Sequence, residues 1–271
     1  MIRGLSAKAL QQMIKDENEK DYLIVDVRQA EEYRLDHIPG SMNIPLADIQ
    51  FDPYVFEDDR KLVFCCTRGA RSKVAAIFVS EAGYDEDKLF HLESGMFEYD
   101  GEILLQMPRI DLFFQDISMV SIMEKAIDFE KGAFLFYTLA KEKVAGSKLY
   151  PVLDKMCKDE IAHGKAIFNQ RRSFSNPDVS FEAYFEQCHG LVLEGGKPFN
   201  EVQAFLSRRP SNACMDILDF AIELEYRAYD LYKTMAENSD FEEAIDMFFN
   251  LAQAEKKHLD QVINALELCA P

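Results

Sequence analysis

A glutamate followed thirty positions later by Glu-x-x-His occurs twice in this chain, as Glu130, Glu160 and His163 and again as Glu225, Glu255 and His258. The surroundings repeat as well: Ala126-Ile-Asp-Phe-Glu130-Lys-Gly-Ala-Phe-Leu-Phe-Tyr137 returns as Ala221-Ile-Glu-Leu-Glu225-Tyr-Arg-Ala-Tyr-Asp-Leu-Tyr232, displaced by 95 positions. Only 5 histidines occur in 271 residues, so a histidine three residues after a glutamate in both copies is hard to obtain by accident. An internal repeat of this kind commits its part of the chain to two similar structural units.

Those units read as helical. Apolar residues recur at spacings of three and four over about 118–144, 148–171, 214–237 and 240–268, the pattern of four amphipathic helices. Gly146-Ser147 breaks the first pair, Asn238-Ser239-Asp240 breaks the second, and 172–213 is a long connection with Pro177, Gly190, Gly195, Gly196, Pro198 and Pro210. Two hairpins joined by one crossover follow. Within the connection 181–188 and 200–207 suit short helices, and no role is readable for it.

Residues three apart share a helix face, so Glu160 with His163 and Glu255 with His258 point one way, while Glu130 and Glu225 sit among apolar positions. Any one of these glutamates alone would be read as part of an acidic surface. As a repeated set of six they converge inside a bundle, where four unpaired carboxylates are very costly without cations. No Lys or Arg is expected at the inward positions around them, so two divalent metal ions are. A Glu from each of two helices with Glu-x-x-His from the other two is the ligand pattern of di-iron and di-manganese carboxylate bundles. Iron or manganese suits the mixed donors, and another divalent metal is open. Tyr137 and Tyr232 follow the helix glutamates by seven residues, on the same face, and are read chiefly as core, with hydrogen bonding near the metals or carrying an electron as the alternative.

The first hundred residues have a different rhythm. Short β-like runs, Tyr22 to Arg28 and Lys61 to Cys66, alternate with helical stretches such as Ser72 to Ala82, which argues for an α/β domain with a largely parallel sheet. The segment Leu105 to Asp116, with Pro108, reads as the linker. The expected division is therefore a domain at 1–108 and a bundle at 116–271. The 48% hydrophobic content suffices for two cores.

Cys66-Thr67-Arg68-Gly69-Ala70-Arg71-Ser72 joins a strand end to a helix start. Inward backbone N–H groups, the helix N-terminus and the charges of Arg71 and Arg68 would form an anion cradle, with Gly69 turning the loop. A thiol there ionises easily and is suited to attack sulfane sulfur. Cys65 points to the opposite face and is read as core, and His37 and His91 as structural.

This segment resembles the active loop of the rhodanese family, with Cys66 at the catalytic position. Leu23-Ile-Val-Asp26-Val-Arg28, Glu31-Glu-Tyr33, His37-Ile-Pro-Gly-Ser41, Asn43-Ile-Pro45 and Leu92-Glu-Ser-Gly-Met96 are similar to the family's other signatures in order, with Tyr99 near a position often held by tryptophan. The resemblance implies a sulfurtransferase in which Cys66 and Arg71 are catalytic and Thr67, Arg68, Gly69, Ala70 and Ser72 bind substrate. Four residues between cysteine and arginine resemble the sulfurtransferases, whereas one more resembles phosphatases on the same fold. Residues 118–268 resemble the rubrerythrin branch of the ferritin-like superfamily, which implies a di-iron site with Glu130, Glu160, His163, Glu225, Glu255 and His258 as ligands and chemistry on oxygen or peroxide. No C-x-x-C pairs follow, so the rubredoxin module is absent and the electron donor is unknown; Ala228 stands where those proteins often carry another glutamate.

The fold class expected is thus multidomain, an N-terminal α/β rhodanese fold and a C-terminal all-α ferritin-like four-helix bundle. The function expected is transfer of sulfane sulfur from donors such as thiosulfate or a persulfide to thiophilic acceptors, fused to a di-iron oxidoreductase. The alternatives are a peroxide-reducing or iron-oxidising protein whose first domain is an accessory relay or sensor, and a non-enzymatic sulfur sensor on an iron-storing scaffold. A net charge of −18 repels nucleic acid and anionic membranes. The six cysteines form no C-x-x-C pair and are expected as free thiols. Without a membrane-length apolar run or a signal-peptide pattern at the start, the protein is expected to be soluble and cytoplasmic. By resemblance it is expected to form a homodimer through the bundle.

Overall fold

The computed structural model describes residues 2–56, 59–113, 118–175, 178–208 and 212–269. Pro177, Pro210 and the 114–116 end of the expected linker lie outside them. The chain divides into two compact units, Met1–Pro108 and Arg109–Pro271.

The first unit is built on β1 (Arg3–Leu5), β2 (Tyr22–Asp26), β3 (Ser41–Asn43), β4 (Lys61–Cys65) and β5 (Leu89–Leu92). They form one sheet in the order β1-β5-β4-β2-β3, with every pairing parallel. Parallel strands need crossovers. These are supplied by α1 (Ala7–Asp16), α2 (Ala30–Leu35), α3 (Leu46–Phe51) and α4 (Ala70–Glu81). Successive side chains of a strand face opposite ways, and the two cores follow that rule. Leu23, Val25, Leu62 and Phe64 pack with Ile49 of α3 and Ala75, Ala76 and Val79 of α4. Tyr22, Ile24, Val63 and Cys65 pack with Leu10 of α1. Being covered on both faces explains why β2 is buried at all five positions.

In the second unit α5 (Met119–Lys143) packs chiefly against α6 (Tyr150–Arg171), and α9 (Ala213–Asn238) against α10 (Glu242–Ala265). The connection carries α7 (Phe181–Gln187) and α8 (Phe199–Ser207). Ser118 and Asn212 cap α5 and α9 by accepting from the N–H of Ser121 and Met215. The last helix is shorter than its periodicity, because Leu266–Cys269 tighten into a 3-10 turn. Cys269 there is joined to Cys214 in a disulfide, so these two cysteines are not the free thiols expected; Cys65, Cys66, Cys157 and Cys188 are free. Among the described residues no helix is long and apolar enough to cross a membrane.

The bundle has two apolar layers. One contains Met123, Phe129, Tyr232 and Phe248, and the other Phe136, Leu153, Leu218 and Val262. On α5, α6 and α9 the glutamates of the repeat fall between stretches belonging to the two layers.

Candidate active site and metal centre

β4 ends at Cys65 and α4 starts at Ala70, so Cys66 to Gly69 form the turn between them. Gly69 adopts φ 83°, a left-handed conformation that costs a side-chain-bearing residue energy. A Cβ there would stand 1.8 Å from the carbonyl oxygen of Glu93, and one on Gly95 would stand 2.2 Å from that of Cys66. The segment after β5 thus lies directly under the loop. It is fastened there by Met96 N–H to Cys66 O at 2.9 Å and Phe97 N–H to Thr67 O at 3.0 Å.

Inside the loop Cys66 Sγ accepts from the N–H of Gly69 at 3.2 Å and of Ser72 at 3.4 Å. Ser72 Oγ lies 3.5 Å from the sulfur and 2.9 Å from the Gly69 carbonyl, so its hydrogen can turn to either. Burial is the largest influence on the Cys66 thiol and opposes ionisation. The hydrogen bonds from the Ser72 hydroxyl and from the Ser72, Arg68 and Gly69 N–H groups together outweigh it and hold the thiol below its ordinary pKa. Cys65, fully buried on the other face, is pushed up by burial and stays a thiol.

Both arginines of the loop have partners of their own, and Arg71 also interacts electrostatically with Cys66. Arg71 donates through both terminal nitrogens to Glu32, at 2.7 and 2.8 Å, and to Thr67 Oγ1 at 2.9 Å. This hydrogen bonding holds Glu32 down at about 2. Arg68 turns outward over the Phe97 ring, 5.7 Å from its centroid. Backbone dipoles therefore favour the thiolate, and the charge of Arg71 is matched by a carboxylate thirty-nine residues away. Ala70 opens α4 and is exposed. His37 packs its ring against that of Tyr33, with centroids 4.5 Å apart and planes tilted by 32°, and His91 is buried in β5.

In the bundle Glu130, Glu160, Glu225 and Glu255 are fully buried and His258 nearly so. His258 Nδ1 lies 3.1 Å from Glu255, 3.2 Å from Glu225 and 3.5 Å from Glu160. His163 Nδ1 lies 3.4 Å from Glu130 and 3.6 Å from Glu160, and the two imidazoles stack at 4.9 Å. Both rings therefore turn Nδ1 inward, while His258 Nε2 faces Asp159 at 3.9 Å. Overlapping sets of these residues bring their ligand atoms within 4.8 Å of one another.

Two further features bear on the cluster, the second of them missed by the sequence pattern. Tyr137 donates to Glu225, and Tyr232 reaches Glu130 at 3.3 Å, so both phenols contact carboxylates of the opposite hairpin instead of serving only as core. Glu194, from the connection, is also fully buried and joins Glu130 and Glu160 within that same 4.8 Å. Its signal is a lone glutamate before Gly195-Gly196 and after three apolar residues.

Contrary to expectation, Lys131 and Lys233 are buried in the bundle. They direct their ammonium groups elsewhere: Lys131 lies over the rings of Phe134 and Phe185, and Lys233 over Phe249 and 3.8 Å from Glu237. Burial pushes Glu255 and Glu194 well above the carboxylate range and Glu160 to about 7. His258 is raised, burial opposing the shift but Glu160, Glu255 and Glu225 prevailing.

The donor set fits a dimetal centre on its own chemistry. Glu130 Oε2, both oxygens of Glu160, Glu194 Oε2, Glu255 Oε1 and His163 Nδ1 are buried without a hydrogen bond, and the Glu130 and Glu160 oxygens face only imidazole Nδ1 atoms at 3.4–3.6 Å. Orphaned acceptors of this density are very costly unless cations face them. A cavity of about 130 Å³ reaches His163 between Ile167, Gln170, Met247 and Leu251. A larger one, about 550 Å³, is lined by Lys197, Phe205, Arg208 and Asp219 and includes none of the cluster.

A family model described as a rhodanese-like domain matches residues 6–102. The Bacillus subtilis protein described as "Putative sulfurtransferase YtwF" is 31% identical over 101 residues, which is 37% of this chain and 93% of that protein. The chain belongs to the rhodanese-like family. Its rhodanese-like domain is also 30% identical over 90 residues to the thiosulfate:glutathione sulfurtransferase of Saccharomyces cerevisiae, spanning 28% of this chain and 65% of that protein. A solved rhodanese-related protein from Thermoplasma volcanium is 27% identical, with a TM-score of 0.34, covering 38% of this chain and 99% of its own. A second model, described as rubrerythrin, matches residues 216–269. That range holds Glu225, Glu255 and His258; their counterparts Glu130, Glu160 and His163 precede it. The chain is thus a rhodanese-like domain followed by a helical unit containing a rubrerythrin domain.

Proposed function

We propose that this chain is a two-site enzyme: a sulfurtransferase working through a Cys66 persulfide, fused to a di-iron oxidoreductase acting on peroxide or oxygen. The observation that carries the first half is the ring of donors around Cys66 Sγ, made by Gly69 and Ser72. The thiolate attacks the outer sulfur of a donor such as thiosulfate, forming a new S–S bond while the old one breaks and sulfite leaves with its electron pair. The backbone donors that held the thiolate then hold the anionic persulfide. A thiophilic acceptor attacks the outer sulfur and returns Cys66 to thiolate.

The orphaned oxygens of the cluster support the second half. Glu130, Glu160 and His163 would hold one iron, and Glu225, Glu255 and His258 the other, with manganese an alternative for the same donors. Bound there, two irons supply two-electron chemistry, with reducing equivalents from an external donor. The chain's own part is to fix the carboxylates through Tyr137 and Tyr232 and to exclude water with the apolar layers. The cavity at His163 suits a molecule of the size of peroxide or oxygen.

A cytoplasmic, homodimeric protein that acts on small sulfur donors belongs to this reading, and so does service of both sites to one physiology, which the fusion motivates. The test is metal content of the purified chain together with thiosulfate-to-cyanide transfer. About two irons per chain with transfer supports both halves. Transfer retained by Cys66→Ser sinks the first, and no metal after anaerobic iron loading sinks the second.

A further inference from the structure

The long connection has no counterpart in the repeat, yet it sends one carboxylate into the centre. Residues 189–198 are bound to the bundle by their backbone: Asp128 Oδ1 on α5 accepts from the N–H of His189 at 2.8 Å and of Gly190 at 3.0 Å. The segment then folds back on itself, with Leu193 N–H to Lys197 O at 2.8 Å and Gly196 N–H to Leu193 O at 3.0 Å.

Three glycines allow this approach. A Cβ on Gly190 would stand 2.8 Å from Gly132 N, one on Gly132 would stand 2.7 Å from Val192 O, and one on Gly195, at φ 69°, would stand 2.4 Å from Arg227 Cβ. Backbone meets helix on both sides, against α5 and α9, with Glu194 between. Its side chain is fully buried, Oε1 lies 3.2 Å from the Tyr232 hydroxyl, and Oε2 has no hydrogen-bond partner. A carboxylate buried merely to hold Tyr232 would leave that second oxygen desolvated for nothing.

We propose that Glu194 is a seventh protein ligand of the dimetal centre, delivered by the connection to the metal position of Glu130 and Glu160. The inference rests on the dimetal reading. It makes the two positions unequal, since among the described residues the Glu225, Glu255 and His258 side has no matching carboxylate from a connection. Two divalent ions balance the four repeat carboxylates in charge; a fifth suits a pair carrying more than four positive charges, that is, an oxidised pair.

The test is anaerobic titration of the metal-free, full-length chain with cobalt(II), read by visible absorption and by the metal-induced rise in melting temperature. Wild type takes up two equivalents. Glu194→Gln keeps one near wild-type affinity and weakens the other at least about tenfold, the lower end of what even outer-shell partners contribute. Its metal-free form melts no lower than wild type, because the amide still meets Tyr232. Glu194→His restores the second equivalent and shifts the cobalt bands as nitrogen replaces oxygen. The ligand role falls if Glu194→Gln binds both equivalents like wild type, or if Glu194→His restores nothing. Should wild type itself bind no cobalt, the dimetal reading fails and the Glu194 ligand with it.

Discussion

Tyr232 of α9 reaches across the bundle to Glu130 of α5, while Tyr137 of α5 donates to Glu225 of α9. Each half of the repeat thereby steadies the carboxylate of the other, and neither hairpin completes its own site. Tyr137→Phe and Tyr232→Phe should each destabilise the bundle by about 1.5–3 kcal/mol, the range for hydrogen bonds to charged groups. Urea denaturation measures this, and losses below about 0.5 kcal/mol, the level of an ordinary surface substitution, would show that the crossed bonds are incidental.

Cys65 and Cys66 are neighbours with opposite fates. Cys66→Ser should reduce sulfur transfer to background, and Cys65→Ser should leave turnover within a factor of about two while lowering stability by about 1–3 kcal/mol, because a hydroxyl replaces a thiol in an apolar core. Transfer assays and thermal melts on the two variants separate them. Loss of activity in folded Cys65→Ser contradicts this division of labour.

The acid limb of sulfur transfer should follow the Cys66 thiol. Its pKa is lowered, so thiolate persists below the ordinary thiol range and is lost as pH falls through the folded value. Ser72→Ala removes one hydrogen bond to the sulfur, raises that pKa and moves the limb to higher pH. Iodoacetamide alkylation rates across pH measure it directly, and an unmoved limb would mean that the backbone donors suffice.

Gly132→Ala places a methyl group 2.7 Å from Val192 O and 3.1 Å from Leu193 Cα, against backbone that cannot turn aside. Overpacking of this kind costs about 1–3 kcal/mol. The connection should lift from α5 and carry Glu194 with it, so metal affinity should fall although no ligand has changed. Thermal shift with and without cobalt(II) tests both effects.

The Cys214–Cys269 disulfide closes a loop across a sequence separation of 55. Chain-entropy arguments put its contribution at about 4 kcal/mol. Reduction, or the double change to serine, should lower the melting temperature of the bundle while leaving sulfur transfer unaffected. An unchanged melting temperature under reductant would show that the bridge contributes little.

The periodicities made the two architectures legible, because strand and helix place apolar residues at different spacings. Glu160 with His163 and Glu255 with His258 stood out because a scarce residue recurred at a fixed offset. Glu194 did not, since a connection carries no period and has no second copy. The partner of Arg71 was equally hidden: Glu32 lies on another helix, and only the fold brings its carboxylate to the guanidinium. Cys214 and Cys269 sit at opposite ends of a hairpin, where no local spacing announces a bond.

The interlock of Gly69 and Gly95 bears on which anions the first domain can process. The Cys66 turn is cast against a mould formed by the chain after β5, with no room for a single methyl group at either glycine. Its radius is therefore set from outside by that floor as well as by its own four residues. A longer turn accommodating a bulkier oxyanion would require the floor to retreat, so on the proposed sulfurtransferase reading the choice between sulfane sulfur and phosphate would be a joint property of two segments, exchanged only when both are exchanged together.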